Sequence, residues 1–202
     1  MIKQAAFVFG ILFLVHAVGA HAKPTGSAKA GTPSPSAEME KTVDSIISIA
    51  NTYSSDDQKD IRRAKLRELI NPKFNFAEMS KRSLGPNWKN LSKQEQSEFT
   101  EVFSELLART YLSKIETVKP GMVEVKGEQV RIPRAIVKTV VTSKGDKFPI
   151  NYKMALKDNA WQVYDVVIEN IGLVANYRNE FSGIIRKEEF SGLMARLRKK
   201  IA

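Results

Sequence analysis

The chain predicts an α+β domain: an antiparallel β-meander of about four strands, covered on one face by N- and C-terminal helices. Three observations carry this. Between Ser36 and Val118 large apolar residues recur every three or four positions, the period of an amphipathic helix. Between Met122 and Ile168 the period falls to two, β-branched residues gather, and short turns separate the runs. From Ile171 to Ile201 the helical spacing returns. Helices on either side of a meander must bury their stripes against it. No internal repeat and no second boundary interrupts residues 37–202.

The whole chain has 202 residues, 43% hydrophobic and 27% charged, the balance of a globular domain. There is no cysteine, which excludes a disulfide scaffold, a Cys-ligated zinc and a thiol nucleophile. Lys plus Arg number 32 against 22 for Asp plus Glu, a formal charge of +10.

Residues 1–22 have the make-up of a signal peptide. Met1-Ile2-Lys3 is a short positive start, Ala5 to Val18 is almost unbroken apolar sequence, and Ala20-His21-Ala22 places small residues where signal peptidase reads them. The apolar run is shorter than the about 20 residues that span a bilayer. The protein is therefore expected to be exported, most simply to a bacterial periplasm. Both histidines, His16 and His21, lie in the removed segment. A Ser-His-Asp triad, a Cys-His dyad and a His-ligated metal are then excluded, and no metal or cofactor is expected. Residues 23–36 are Pro, Thr, Gly, Ser, Ala and Lys with no large apolar side chain, a flexible leader to a single domain at 37–202.

Within that domain Met39, Val43, Ile46, Ile47, Ala50 and Tyr53 mark a first helix. Ser55-Asp56-Asp57-Gln58 matches a capping box and predicts a second helix, which Asn71-Pro72 stops near Ile70. Phe76, Met79 and Leu84 predict a short helix closed by Gly85-Pro86. Ser92-Lys93-Gln94-Glu95 is another capping box. It opens a long helix whose stripe is Phe99, Val102, Phe103, Leu106, Leu107, Tyr111, Ile115 and Val118.

Met122–Ile132 predicts one or two short strands with Gly127 as a turn, and Ala135–Ser143 a β-branched strand. Lys144-Gly145-Asp146 is a hairpin turn, after which Phe148, Ile150, Tyr152, Met154 and Leu156 alternate with smaller or polar residues. Asp158-Asn159 is a tight turn before the last strand, Trp161–Ile168. Ile171, Val174, Tyr177, Phe181, Ile184 and Ile185 predict one C-terminal helix, and Phe190, Leu193, Met194, Leu197 and Ile201 another.

Three stretches in this order and spacing carry a family likeness: Phe76 to Trp88, with Met79, Leu84 and Gly85 inside it; Phe99 to Tyr111, with Leu106-Leu107; and Trp161-Gln162-Val163-Tyr164-Asp165-Val166-Val167-Ile168-Glu169. Together they resemble the MlaC family, also called the toluene-tolerance or periplasmic phospholipid-binding family, over roughly Val43 to Leu197. Asn170-Ile171-Gly172 departs from the family pattern, which has a Gly after the acidic residue. The resemblance implies a soluble carrier that holds phospholipid acyl chains in an apolar cavity and moves them between the outer and inner membranes. The partners it implies are an inner-membrane lipid ABC transporter complex, an outer-membrane lipoprotein complex and transient contact with a membrane surface. A related branch is associated with hopanoid lipids.

An acyl chain would then lie between the sheet residues Val137, Ile150, Tyr152 and Met154 and two helical stripes, Phe103, Leu107 and Tyr111, and Tyr177, Phe181 and Ile184. These large apolar groups point inward from three elements. Composition alone favours an ordinary filled core; the resemblance favours a cavity. Two basic clusters, Arg62, Arg63, Lys65 and Arg67, and Arg196, Arg198, Lys199 and Lys200, suit anionic headgroups or are solvated faces. Nucleic acid is not an expected partner of an exported protein. An enzyme reading rests on Asp165 and Glu169, four residues apart on one strand face, with Asp165 as a base in an apolar pocket and Tyr152 or Tyr164 beside it. The structural alternative is that Asp165 satisfies backbone groups and Glu169 caps the next helix. Trp88 reads as a loop anchor.

Overall fold

A hydroxyl starts the first helix. In a computed structural model, which describes residues 34–202, Ser34 Oγ accepts the Ala37 N–H and opens α1 (Pro35–Thr52). Pro35 fits the first turn, where its missing N–H leaves no bond unmade. The helix thus takes in the last residues of the stretch expected to be a leader. The signal peptide and the rest of that leader lie outside the described residues. Ser34 Oγ and the Ser36 N–H both donate to Glu128 Oε2, at 3.0 and 2.7 Å, which ties the helix start to the sheet.

Helix α2 (Lys59–Ile70) begins later than its expected box at Ser55. The Ser55 hydroxyl donates to Gln58 Oε1 at 3.0 Å and caps no helix N–H, and tight turns close onto the Ser55 and Asp56 carbonyls. A 3₁₀ turn at Asn71–Lys73 ends α2. Helix α3 (Phe76–Leu84) is capped by Asn75 and closed by Gly85, whose φ of 58° suits glycine. The second box forms fully. Ser92 Oγ accepts the Glu95 N–H at 3.2 Å and Glu95 Oε2 accepts the Ser92 N–H at 2.8 Å, opening α4 (Lys93–Ile115).

The sheet holds β1 (Val123–Arg131), β2 (Arg134–Ser143), β3 (Asp146–Lys157), β4 (Ala160–Ile168) and β5 (Ile171–Gly172). They lie side by side in chain order, every pair antiparallel. Two details differ from expectation. Gly127 is not a turn: it sits in a bulge inside one continuous β1, where the register slips between Val125 and Gly127. The fifth strand was not anticipated. Glu169 and Asn170, with φ of 49° and 71°, form a two-residue hairpin turn, and Ile171 pairs back onto Ile168.

Glu169 therefore caps no helix, and it does not share a strand with Asp165. Asp165 makes the cap itself. Its Oδ1 accepts the Val174 N–H at 3.1 Å in the first turn of α5 (Leu173–Ile201). The two expected C-terminal helices are the two arms of α5, broken at Glu189, where φ is 60° and ψ −176°. Gly192 permits that corner, because a Cβ there would run into the Cβ of Glu188.

Helices cover one face of the sheet, with Met39 of α1 and Phe74 packed on it. At β4 they also reach round to the other face, where Val174 meets Asp165 and Arg82 meets Tyr164. The result is two apolar bodies. One is all helix, from α3, α4 and α5; the other is the inner face of the sheet. Phe74 and Leu173 touch both.

Candidate functional site

Strand register assembles the inner face. Val137 faces Tyr152, Tyr152 faces Val166, Met154 faces Ala135 and Val163, and Ile150 faces Ile168. Alternation puts all of these on one side. Val137, Met154 and Val163 are buried, whereas Ile150, Tyr152, Leu156 and Ile168 are only half-buried. Helix α1 packs on β1 and β2, with Met39 against this face, and its Met39, Val43, Ile46, Ile47 and Ile49 are likewise half-buried. Burial pushes the Tyr152 phenol up to about 12. Its ring nonetheless keeps reachable surface, and among the described residues its hydroxyl has no hydrogen-bond partner.

The helical body is different. Phe99, Phe103 and Phe181 are wholly buried. Their rings meet at 5.5 to 5.7 Å, Phe103 and Tyr177 at 5.1 Å, mostly edge to face. Leu106, Leu107, Leu193, Met194 and Leu197 fill the space around them. Burial raises the Tyr177 phenol far above its ordinary value, with Tyr111 and Glu180 adding to the shift. Tyr111, half-buried at the margin of this body, is raised by burial too.

The ten residues expected to touch an acyl chain thus fall into two groups. Val137, Ile150, Tyr152 and Met154 belong to the sheet body, and Phe103, Leu107, Tyr111, Tyr177, Phe181 and Ile184 to the helical one. Ile184 also borders a separate polar hollow of about 400 Å³ on α5, beside Glu180, Lys187, Glu188 and Arg196. The residues that reasoning from the sequence did not place at the site are those of α1, together with Phe74, Ile168 and Leu173. Their spacing marked α1 as amphipathic, but only the fold shows that α1 packs on β1 and β2 with Met39 against the inner face.

The other candidates have structural roles. Asp165 Oδ2 accepts Lys153 Nζ at 3.0 Å while Oδ1 holds the start of α5, so both oxygens are engaged. Trp88 packs against the helical body, and its carbonyl accepts Gln96 Nε2 at 3.0 Å, as a loop anchor would. Both basic clusters are largely paired. Arg62 and Arg63 meet Glu116, and Arg67 meets Glu105. These guanidiniums hold both carboxyls below their ordinary value. At the C-terminus Arg196 meets Glu188, Arg198 meets Glu98 and Lys200 meets Glu180. Among the described residues no helix is long and apolar enough to cross a membrane.

A five-stranded antiparallel meander with one apolar face, backed by helices, defines the class: an α+β domain. The family model described as MlaC protein matches residues 40–199, and the chain belongs to that family. Among solved structures it is similar to a phospholipid-binding protein from Ralstonia solanacearum, crystallised with a phospholipid. The two share 23% identity and superpose with a TM-score of 0.71, covering 84% of this chain and 97% of that one. No curated protein matches the chain.

Proposed function

We propose that this protein is a periplasmic phospholipid carrier, a binding protein rather than an enzyme. It holds acyl chains against the inner face of the sheet and shuttles lipid between the outer and inner membranes, as the soluble component of an ABC-type lipid transport system. The inner-membrane transporter complex and the outer-membrane lipoprotein complex are its partners in this reading, with transient contact at the membrane surface. One observation carries it: Ile150, Tyr152, Leu156 and Ile168 on the inner sheet face stay half-covered, as do the apolar residues of α1, which packs on β1 and β2. Membership of the MlaC family and a similar fold that holds a phospholipid support it.

The energetics suit the task. Each CH₂ taken out of water is worth about 0.8 kcal/mol, so a chain of roughly fifteen carbons gains on the order of 12 kcal/mol. No catalytic group is needed for this, only apolar walls that separate without the protein unfolding. Val137, Ile150, Tyr152 and Met154 form the wall in contact with lipid. Phe103, Tyr177 and Phe181 stiffen the frame behind it. Mass spectrometry of a solvent extract from gently purified protein should find phospholipid. A hopanoid in its place would change the ligand class, and an extract without lipid would overturn the proposal.

A further inference from the structure

With both sequence-evident basic clusters largely paired, further unpaired positive charge lies elsewhere, and on β1–β3 it gathers on one face. Alternation sets Arg134, Lys138, Lys147 and Lys157 on the side opposite Ala135, Val137, Ile150 and Met154. Register places Arg131 beside Arg134 and Lys138 beside Asn151. All five basic side chains are exposed, and among the described residues none of them pairs with a carboxylate. Lys153 shares this face but is taken by Asp165. The outer side of the sheet thus carries five exposed cations, with half-buried Ile136 and Val140 among them and Glu124 on β1 as its exposed carboxylate.

The end of the basic side nearest β4 is stiff. Tyr164 is the extra residue where the β3–β4 register slips, and it is buried under two guanidiniums. The Cζ of Arg82 lies 4.5 Å from its ring centroid and that of Arg134 5.4 Å. Arg134 Nη1 also donates to Tyr164 Oη at 3.3 Å. Arg178 Nε donates to the Arg82 carbonyl at 2.7 Å, which brings a third guanidinium to the group. Only Arg82 has a carboxylate partner, Glu78. Guanidiniums held by stacking lose little freedom when they meet a carboxylate, and their planar fork matches it.

We propose that the outer face of β1–β3, anchored at Arg134 and Arg178, is a docking surface for an acidic protein partner. Charge complementarity argues for carboxylates. A lipid surface fits less well, because docking to a membrane needs apolar side chains to insert as well as charge. The large apolar residues left exposed, Ile61, Ile132 and Ile171, lie on α2, in the β1–β2 turn and on β5, outside this face. Docking here leaves α1 and the apolar wall unobstructed. The proposal rests on the carrier reading only in that a carrier must dock, and lipid content reports on that reading separately.

The test is co-sedimentation with membrane vesicles of the source cell that keep their proteins, alongside protein-free liposomes of the same extracted lipids. The native protein should bind the vesicles, bind less as salt rises from about 0.05 to about 0.3 M, and leave the liposomes unbound. Lys138→Glu/Lys147→Glu/Lys157→Glu, which disturbs no contact within the fold, should weaken vesicle binding about tenfold or more. Arg178→Glu should weaken it as well, at some cost in melting temperature because its bond to the Arg82 carbonyl is lost, whereas the triple variant should keep its melting temperature and both should keep co-purified lipid. Equal binding to liposomes, binding unchanged by charge reversal, or no binding by the native protein would each overturn the proposal. So would a variant that loses lipid together with docking.

Discussion

The helical body and the sheet body are made of similar side chains but packed to different degrees. Phe99, Phe103 and Phe181 interlock ring on ring with no exposed surface. Ile150, Tyr152 and Ile168 stay half-covered, as do the apolar residues of α1, which packs on β1 and β2. Filled interiors resist change because every atom already has neighbours. A wall that lacks some of its neighbours can take them from a ligand. Completeness of packing, rather than hydrophobicity, is what would separate frame from binding surface under the proposed carrier function.

The largest effect expected of this contrast is on stability. Phe103→Ala should cost about 3–5 kcal/mol in a denaturant titration. Ile150→Ala, measured on delipidated protein, should cost roughly 1–2 kcal/mol, since less of its surface leaves water on folding. Equal losses would erase the distinction.

Bulk should act in the opposite sense. Ile150→Trp projects into the space assigned to lipid, so most co-purified lipid should be lost while the lipid-free melt moves by only a few degrees. A variant that unfolds, or one that stays folded with normal lipid, would put the wall elsewhere. Gly192→Ala sharpens the same comparison from the frame. Its methyl must displace Glu188 at the corner of α5, costing about 1–3 kcal/mol, with the lipid load of the folded protein unchanged.

The smallest effect is acid sensitivity at the junction of α2 and α4. Arg63 depresses the folded pKa of Glu116, and Arg67 that of Glu105, below the ordinary 4.5. Such groups add stability that is complete above that value and is lost as pH falls through the depressed folded value. Melting temperature should therefore drop below pH 4.5, and less steeply in Glu116→Gln.

Much of the frame was legible in the sequence because local chemistry decides it. The Ser92–Glu95 box, the Gly85 stop and the Asp158-Asn159 turn each depend on a few adjacent residues, and each forms. The Ser55 box failed because its Gln58 side chain turned to the Ser55 hydroxyl instead of joining a helix. The short β5 was hidden because two residues show no period, and its turn uses Glu169 and Asn170 in place of the usual glycine. The site was only half legible. Spacing told which faces are apolar, but the division of Phe103 from Tyr152 into separate bodies depends on how the helices stack, which no local pattern records. Charge was misleading for the same reason: Arg62 and Arg63 look like a basic patch until Glu116 is brought to them from α4's end.

The central claim is that lipid lies against the sheet and not within the helical body. A phospholipid carrying a photoreactive group on its acyl chain, loaded and cross-linked, with the labelled residues mapped by mass spectrometry, tests it directly. The account predicts label on Ile150, Tyr152 and Met154 and on the α1 residues Met39, Val43 and Ile46. Label concentrated on Phe99, Phe103 and Phe181, with the β3 residues untouched, would contradict it.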